Sequence, residues 1–351
     1  MRTRSIVATM LATGGLLAPA PSANAVAYTF TEIDVPFTGA SDTTIFGINN
    51  LGELVGSYRD AAFQLHGFAR DVGGNFVPLD VPLPNANNTT AHGLNNQGQI
   101  VGIYNTGAFQ NLHGFVLNGG QFGSLDVPLA NTSNTQAFGI NEQGQIVGNY
   151  FQSTMRGGTT HGFLDTSGVF TPIDYSLATI TAASGINNSA QIVGDFSDAN
   201  FNQHGFVMEN GVFHSIDVPS ATSGTAGFGI NDLGQIVGDY FTGGGVHGFL
   251  LDAGIFSAID VPFLGSFNTV VRGINNQGDL VGLYSDSQGE HGFIASPQPA
   301  VPEPSSLLLL GFGIAALGPA LSRQLHQGHH CRFWVTLRAT ALLGLGRYWY
   351  G

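Results

Sequence analysis

Six histidines recur at one place in this chain: His66, His113, His161, His204, His247 and His291, each opening a His-Gly-Phe triplet. Six aspartates recur with them, at 34, 80, 126, 174, 217 and 260, each ending a Phe-x-x-Ile/Leu-Asp run. Imidazole and carboxylate are the groups of metal centres and of general acid–base chemistry. Their spacing argues against both uses. A residue that returns at the same place in every repeat lies on a pseudosymmetric ring, several strand widths from its copies, whereas a metal needs its ligands within about 2.0–2.1 Å of one ion. The histidines are expected to satisfy backbone groups between strands, and the aspartates to cap the turn that follows them. Thr43, Thr89, Thr135, Thr181, Thr225 and Thr269, four residues before each Gly-Ile-Asn, read as structural on the same argument. No metal site and no cofactor are expected.

Chemistry is better sought where the copies disagree. The residue before each Gly-Ile-Asn or Gly-Leu-Asn is Phe46, His92, Phe138, Ser184, Phe228 and Arg272. In an up-and-down arrangement of strands, the variable loops after the second and fourth strands share one end of the molecule. Loops on a rigid scaffold commonly carry recognition. Phe46, His92, Phe138, Phe228 and Arg272 are therefore the candidate ligand-binding residues, near a channel mouth. Asp195, Asp198 and Asp239 on neighbouring segments could form an acid–base pair, although spacing does not single them out. There is no glycine-rich phosphate loop, cysteine–histidine metal cluster or Gly-x-Ser-x-Gly elbow, so no catalytic residue is assigned and the chain is not expected to be an enzyme.

The elements that must hold these residues come from the repeat. Gly47, Gly93, Gly139, Gly185, Gly229 and Gly273 open the Gly-Ile/Leu-Asn motif, 46, 46, 46, 44 and 44 residues apart. Each unit supplies four short apolar runs separated by turn residues such as Asn95-Asn96-Gln97-Gly98, which read as four strands. Four strands in roughly 45 residues is the pattern of a β-propeller blade. Pro78 and Pro172 fall within the Phe-x-x-Leu/Ile-Asp strand; proline cannot donate to a ladder, so that strand is the outer edge and the Gly-Ile-Asn strand lines the channel. The chain opens on a lone outer strand, Phe30 to Pro36, and the last repeat ends at Phe293-Ile294-Ala295 without one. The expected fold is all-β, a six-bladed β-propeller over residues 28–295 closed by its N-terminal strand, with an open stack of β units as the alternative.

Charge narrows the partners. The chain has no lysine, and of its ten arginines only Arg59, Arg70, Arg156 and Arg272 lie in residues 28–300, against 22 of the 23 acidic residues. Nucleic acid is excluded as a partner class, because binding it needs cations to displace phosphate counterions. The one cysteine, Cys331, leaves the repeats without disulfides.

The two ends concern export. Residues 1–25 read as a signal peptide: Arg2 and Arg4, an apolar Ile6-to-Leu17 stretch, and Ala23-Asn24-Ala25 as a cleavage site. Residues 296–304 form a proline-rich linker. Residues 305–321 carry no charge and meet the lower limit of about 17 residues for a transmembrane helix. The arginines at 323, 332, 338 and 347 then place the 322–351 tail in the cytoplasm. Pro302-Glu303-Pro304, an apolar stretch and an arginine together resemble the PEP-CTERM sorting signal of Gram-negative bacteria, although the tail past Arg323 is longer than is usual for that family. The resemblance implies an exosortase-type sorting enzyme as partner, and a cell-surface or extracellular destination with a C-terminal membrane anchor before processing. The repeats resemble the HAF family of extracellular repeats through Gly93-Leu94-Asn95, Gly98 to Gly102 and His113-Gly114-Phe115, with glycine in place of that family's middle alanine. The expected function is that of an exported, non-catalytic surface or matrix protein binding polysaccharide or another envelope component. A purely structural or adhesive role and a propeller hydrolase or lyase acting on glycans are the alternatives.

Overall fold

A computed structural model describes residues 5–8, 26–107, 111–155 and 157–299. The chain divides into two compact units, Met1–Pro299 and Ala300–Gly351. The second unit, with the Pro302-Glu303-Pro304 motif, the expected membrane helix over 305–321 and the tail, lies outside the described residues, as does most of the expected signal peptide. Among the described residues no helix is long and apolar enough to cross a membrane.

The first unit is all β. Each repeat folds as an antiparallel meander whose first strand is one of Ser41–Ile48, Ala86–Leu94, Thr132–Ile140, Ile180–Ile186, Thr225–Ile230 and Asn268–Ile274. The hairpin after each first strand turns on a residue with positive φ. Five of these are glycines (52, 98, 144, 234 and 278), the residue type that enters this region without a Cβ penalty, and the remaining one is Ala190 at φ 57°. In the second strands a Val-Gly pair is imposed by packing: a Cβ on Gly148 would collide with the Gln136 carbonyl and the Phe163 ring. Phe68, Phe115, Phe163, Phe206, Phe249 and Phe293 fill that space and are fully buried. The apolar clusters lie between consecutive repeats; one joins Val101 and Leu125 of the second repeat to Ala137, Ile146, Tyr150 and Phe163 of the third.

The expectation of six separate blades closed into one ring is corrected by the hydrogen bonding. Strands gather into four small sheets, three of four strands and one of five, and one sheet of eight strands. The eight-stranded sheet exists because the third and fourth repeats are bridged by a parallel pairing, Thr160 with Ile180. The residue before His161 pairs there with the residue before Thr181, and the fourth repeat makes the equivalent isolated bridge to the fifth, Gln203 with Gly224. The sheets are arranged in a propeller-like ring, and none is closed into a barrel. Tyr28–Ile33 pairs antiparallel with Gly289–Pro297 on one side. Its other edge is occupied by Ser5–Ala8, so it is an internal member of the five-stranded sheet. The outer-edge strands of the other repeats carry the prolines: Pro78 lies in Phe76–Leu79 and Pro172 in Val169–Ile173.

The first strands are tied together at one end of the axis by asparagine. Asn49, Asn95, Asn141, Asn187, Asn231 and Asn275 are all buried. Each Nδ2 donates to the backbone carbonyl of the corresponding asparagine in the next repeat, and Asn275 donates to Asn49. Each Oδ1 accepts two amides of its own turn, as Asn141 does from Gln143 and Gln145 at 3.1 and 3.0 Å. A second circle runs beside it, from each following residue's amide to the side chain in the next repeat, with Asn276 returning to Asn50. Every polar atom of the first circle has its partner inside the fold.

Candidate functional site

Three residues before each of these asparagines the repeats stop agreeing. Each first strand carries a β-bulge at one position, with register shifts between Ile45/Gly47, Ala91/Gly93, Ala137/Gly139, Ala183/Gly185, Gly227/Gly229 and Val271/Gly273. The residues left over are Phe46, His92, Phe138, Ser184, Phe228 and Arg272. A bulge releases one residue from the ladder and re-aims its side chain. Here all six face one cavity of about 280 Å³ on the axis, and the five candidate ligand-binding residues are among its lining.

Their contacts are specific. His92 packs on Phe46 with ring centroids 4.2 Å apart and edge-on to Phe138 at 5.2 Å. Its Nε2 lies 3.1 Å from the Thr90 hydroxyl. Burial, with the Arg272 charge adding to it, pushes the imidazole down to about 3, so it is neutral near pH 7. The Arg272 guanidinium lies over Phe228, 4.1 Å from the ring centroid, and 5.8 Å from that of Phe46. These are cation–π distances. Among the described residues Arg272 makes no hydrogen bond and no ion pair, and its Nε is buried without a partner.

A second variable position, missed in the sequence, supplies the polar side of the cavity. The residue after each second-strand Val-Gly is Ser57, Ile103, Asn149, Asp195, Asp239 and Leu283. Asn149 and Asp195 line the cavity. Asp239 is only 6% exposed, and its Oδ1 is unpartnered, as is Asn149 Oδ1. Asp195 accepts a hydrogen bond from Gln203 Nε2 at 3.1 Å. Burial raises both carboxyls, Asp239 to about 6, while Arg272 pulls each down and Asp195 pushes Asp239 up. Asp198, the third aspartate considered, is elsewhere: it organises the Asp198–Asn202 turn through the Asn200 and Asn202 amides. The sequence names Asp195 and Asp239 only as a possible acid–base pair; the signal that singles them out is the one applied to Phe46 and its copies, namely disagreement at a fixed place in the repeat.

The repeated histidines and aspartates have partners the sequence did not reveal. Each histidine Nδ1 meets its repeat's aspartate at 2.7–3.0 Å: His66–Asp80, His113–Asp126, His161–Asp174, His204–Asp217 and His247–Asp260, with His291 reaching Asp34, the residue after Tyr28–Ile33. Each ring also stacks on the aromatic residue of the second strand, Tyr58, Tyr104, Tyr150, Phe196, Tyr240 or Tyr284, at 5.1–5.4 Å. The histidine therefore bonds a side chain rather than a backbone group, and the aspartate braces the histidine rather than capping a turn. The threonines are structural as expected: each hydroxyl accepts the amide of the residue after that aspartate. Around the last pair, Glu32, Asp34 and His291 place ligand-type atoms within 4.8 Å of one another. They are already engaged: the Tyr284 hydroxyl donates to Glu32 at 2.6 Å, and His291 meets Asp34 at 2.9 Å.

Comparison with known proteins bears mainly on the C-terminal end. The family model described as the PEP-CTERM protein-sorting motif matches residues 300–323. A PEP-CTERM-like sorting motif is thus present there; it points to an exosortase-type sorting system and to export. No curated protein matches the sequence. Among solved structures, the chain is similar to a lectin from Aleuria aurantia determined with Fucalpha1-6GlcNAc, at 12% identity and TM-score 0.47, covering 74% of this chain and 97% of that one. It is also similar to a gluconolactonase from Xanthomonas campestris, at 11% identity and TM-score 0.43, covering 77% and 90%. TolB from Acinetobacter baumannii follows at 8% identity and TM-score 0.43, covering 79% and 61%.

Proposed function

We propose that this chain is an exported, non-catalytic protein of the cell surface or matrix that binds polysaccharide in the cavity at the variable end of its axis. One observation carries the reading: first-strand bulges aim Phe46, Phe138, Phe228, Ser184 and Arg272 into one space, and the second strands add Asn149 and Asp195 to its wall. Apolar faces with a few fixed polar groups suit a sugar, which has C–H faces and a rim of hydroxyls. A cavity of 280 Å³ lies near the lower end of the roughly 300–1,000 Å³ of small-molecule sites, which suits one sugar unit of a chain. Export rests on the sorting motif, with Pro302, Glu303 and Pro304 as the residues presented to an exosortase-type enzyme, residues 305–321 as the membrane anchor before processing, and residues 1–25 as the secretion signal. The HAF-like repeats fit an extracellular setting.

The test uses the full chain. Purified protein is screened on an array that includes the producing organism's own polysaccharides, and cells are fractionated in parallel. Binding to at least one polysaccharide, with the protein in the envelope or extracellular fraction, is expected. Binding to none would leave a structural or adhesive role in its place, and a cytosolic location would remove the export scheme.

A glycan hydrolase or lyase is the second reading, and one observation favours it. Asp195 and Asp239 are neighbouring, electrostatically coupled carboxyls, both raised by burial, as a general acid requires. Against it, Asp239 lies behind the cavity lining and Gln203 holds Asp195. Release of reducing ends or unsaturated products from a bound polysaccharide would establish this reading over the first.

A further inference from the structure

A guanidinium offers five N–H donors in a planar fork, and buried donors are almost always paired. Arg272 departs from that rule: it is half-buried on the axis and stacked against Phe228 and Phe46. Among the described residues it makes no hydrogen bond and no ion pair, and its Nε is an orphan. On the wall of the same cavity Asn149 has an unpartnered Oδ1. The carboxylate of Asp195 has one neighbour, Gln203. Unused donors and unused acceptors therefore sit together beside aromatic faces.

The charge around them selects the ligand. Arg272 already occupies the cationic slot that Phe228 and Phe46 form, so a sugar bearing an ammonium group would meet a like charge on the aromatic faces that would otherwise attract it. Asp195 faces the cavity, Asp239 stands behind it, and both interact with Arg272 over distance. The surrounding repeats hold 22 acidic residues against four arginines over residues 28–300. A uronate or sulfated sugar would be repelled by that field. A hydroxyl is the group that both accepts from a guanidinium and donates to a carboxylate.

We propose that the cavity recognises a neutral sugar residue, with Arg272 donating to its hydroxyl oxygens and Asp195 accepting from its hydroxyl hydrogens, while Phe46, Phe138 and Phe228 contact its C–H faces. This rests on the polysaccharide-binding reading and narrows it to uncharged sugars.

The experiment is competition and direct titration on the full chain, with glucose, galactose and mannose compared with glucuronate, galacturonate, glucosamine and galactosamine. At least one neutral hexose should displace the bound polysaccharide, and bind about tenfold or more tighter than its own uronate and amino counterparts. Arg272→Gln should lose about tenfold or more in affinity with unchanged thermal unfolding, and Arg272→Lys should not restore it, because an ammonium lacks the planar fork. If Arg272→Gln fails to fold, Asp195→Asn, which keeps the side-chain shape, decides with the same expected loss. Polysaccharide binding that prefers a uronate or an amino sugar, or that is indifferent to these substitutions, would overturn the inference and leave the broader reading standing at another site. No binding to any polysaccharide would remove both.

Discussion

The two ends of the axis are built from the same strands and treat polar atoms in opposite ways. At the asparagine end, a residue repeated six times spends every donor and acceptor within the fold, on its own turn and on the next repeat. Arg272 stands three residues before Asn275 and Asn149 eight after Asn141, and at this level each is left with an atom that nothing among the described residues satisfies. Repetition serves cohesion, because a bond that closes on the next copy can be made by every copy. Departure from repetition gives up that cohesion and leaves groups free for something outside the chain.

Substitution should separate the two ends clearly. Asn141→Ala removes two accepted amides and two donated bonds at a buried site and is expected to cost about 3 kcal/mol in chemical denaturation. Phe138→Ala at the mouth, where the ring is only half-buried, should cost about 1 kcal/mol; equal losses would break the comparison. Asp239→Asn should go the other way. Its carboxyl is raised by burial to about 6 in the folded chain, above its unfolded value, so the folded state favours the protonated form. That contribution is complete below about pH 4 and is lost as pH rises through about 6. The amide variant should therefore be more stable than the parent at pH 7, by on the order of 2–3 kcal/mol, with the gain vanishing near pH 4 in pH-dependent denaturation. His92 has the opposite sign: pushed down to about 3, it contributes stability above pH 6.5 that is lost as pH falls below that value. His92→Phe should flatten the acid side of the same stability profile. The smallest effect lies within the uniform end. Ala190 holds φ 57° where the other copies have glycine, and Ala190→Gly should gain about 0.5 kcal/mol by relieving the left-handed strain, read as a small rise in melting temperature.

The sequence made the repeat, the strand count per unit and the edge prolines legible, because each depends on residues a few positions apart. What it concealed depends on side chains meeting across repeats. His113 and Asp126 lie thirteen residues apart, as do three other pairs, with His66 and Asp80 fourteen apart, and the spare Asp34 at one end matched the unpaired His291 at the other, yet each was read against the backbone. The fusion of the third and fourth repeats into one sheet turns on a single parallel pairing, Thr160 with Ile180, which no motif encodes. At the mouth, Phe46, His92, Phe138, Phe228 and Arg272 were visible as disagreements beside a fixed Gly-Ile-Asn. That each is a bulge residue was not visible, and neither was the polar wall from Asn149 and Asp195, which needed the second strand to be read by the same rule.

The pairing of Tyr28–Ile33 with Gly289–Pro297 also sets a timetable. Hairpins within a repeat join neighbours and can form as soon as they are made. Asp34 and His291, 257 residues apart, meet only after nearly the whole chain is present, and contacts between such distant positions are the slow ones in folding. Tyr28–Ile33 has no partner for this edge until the last repeat is present.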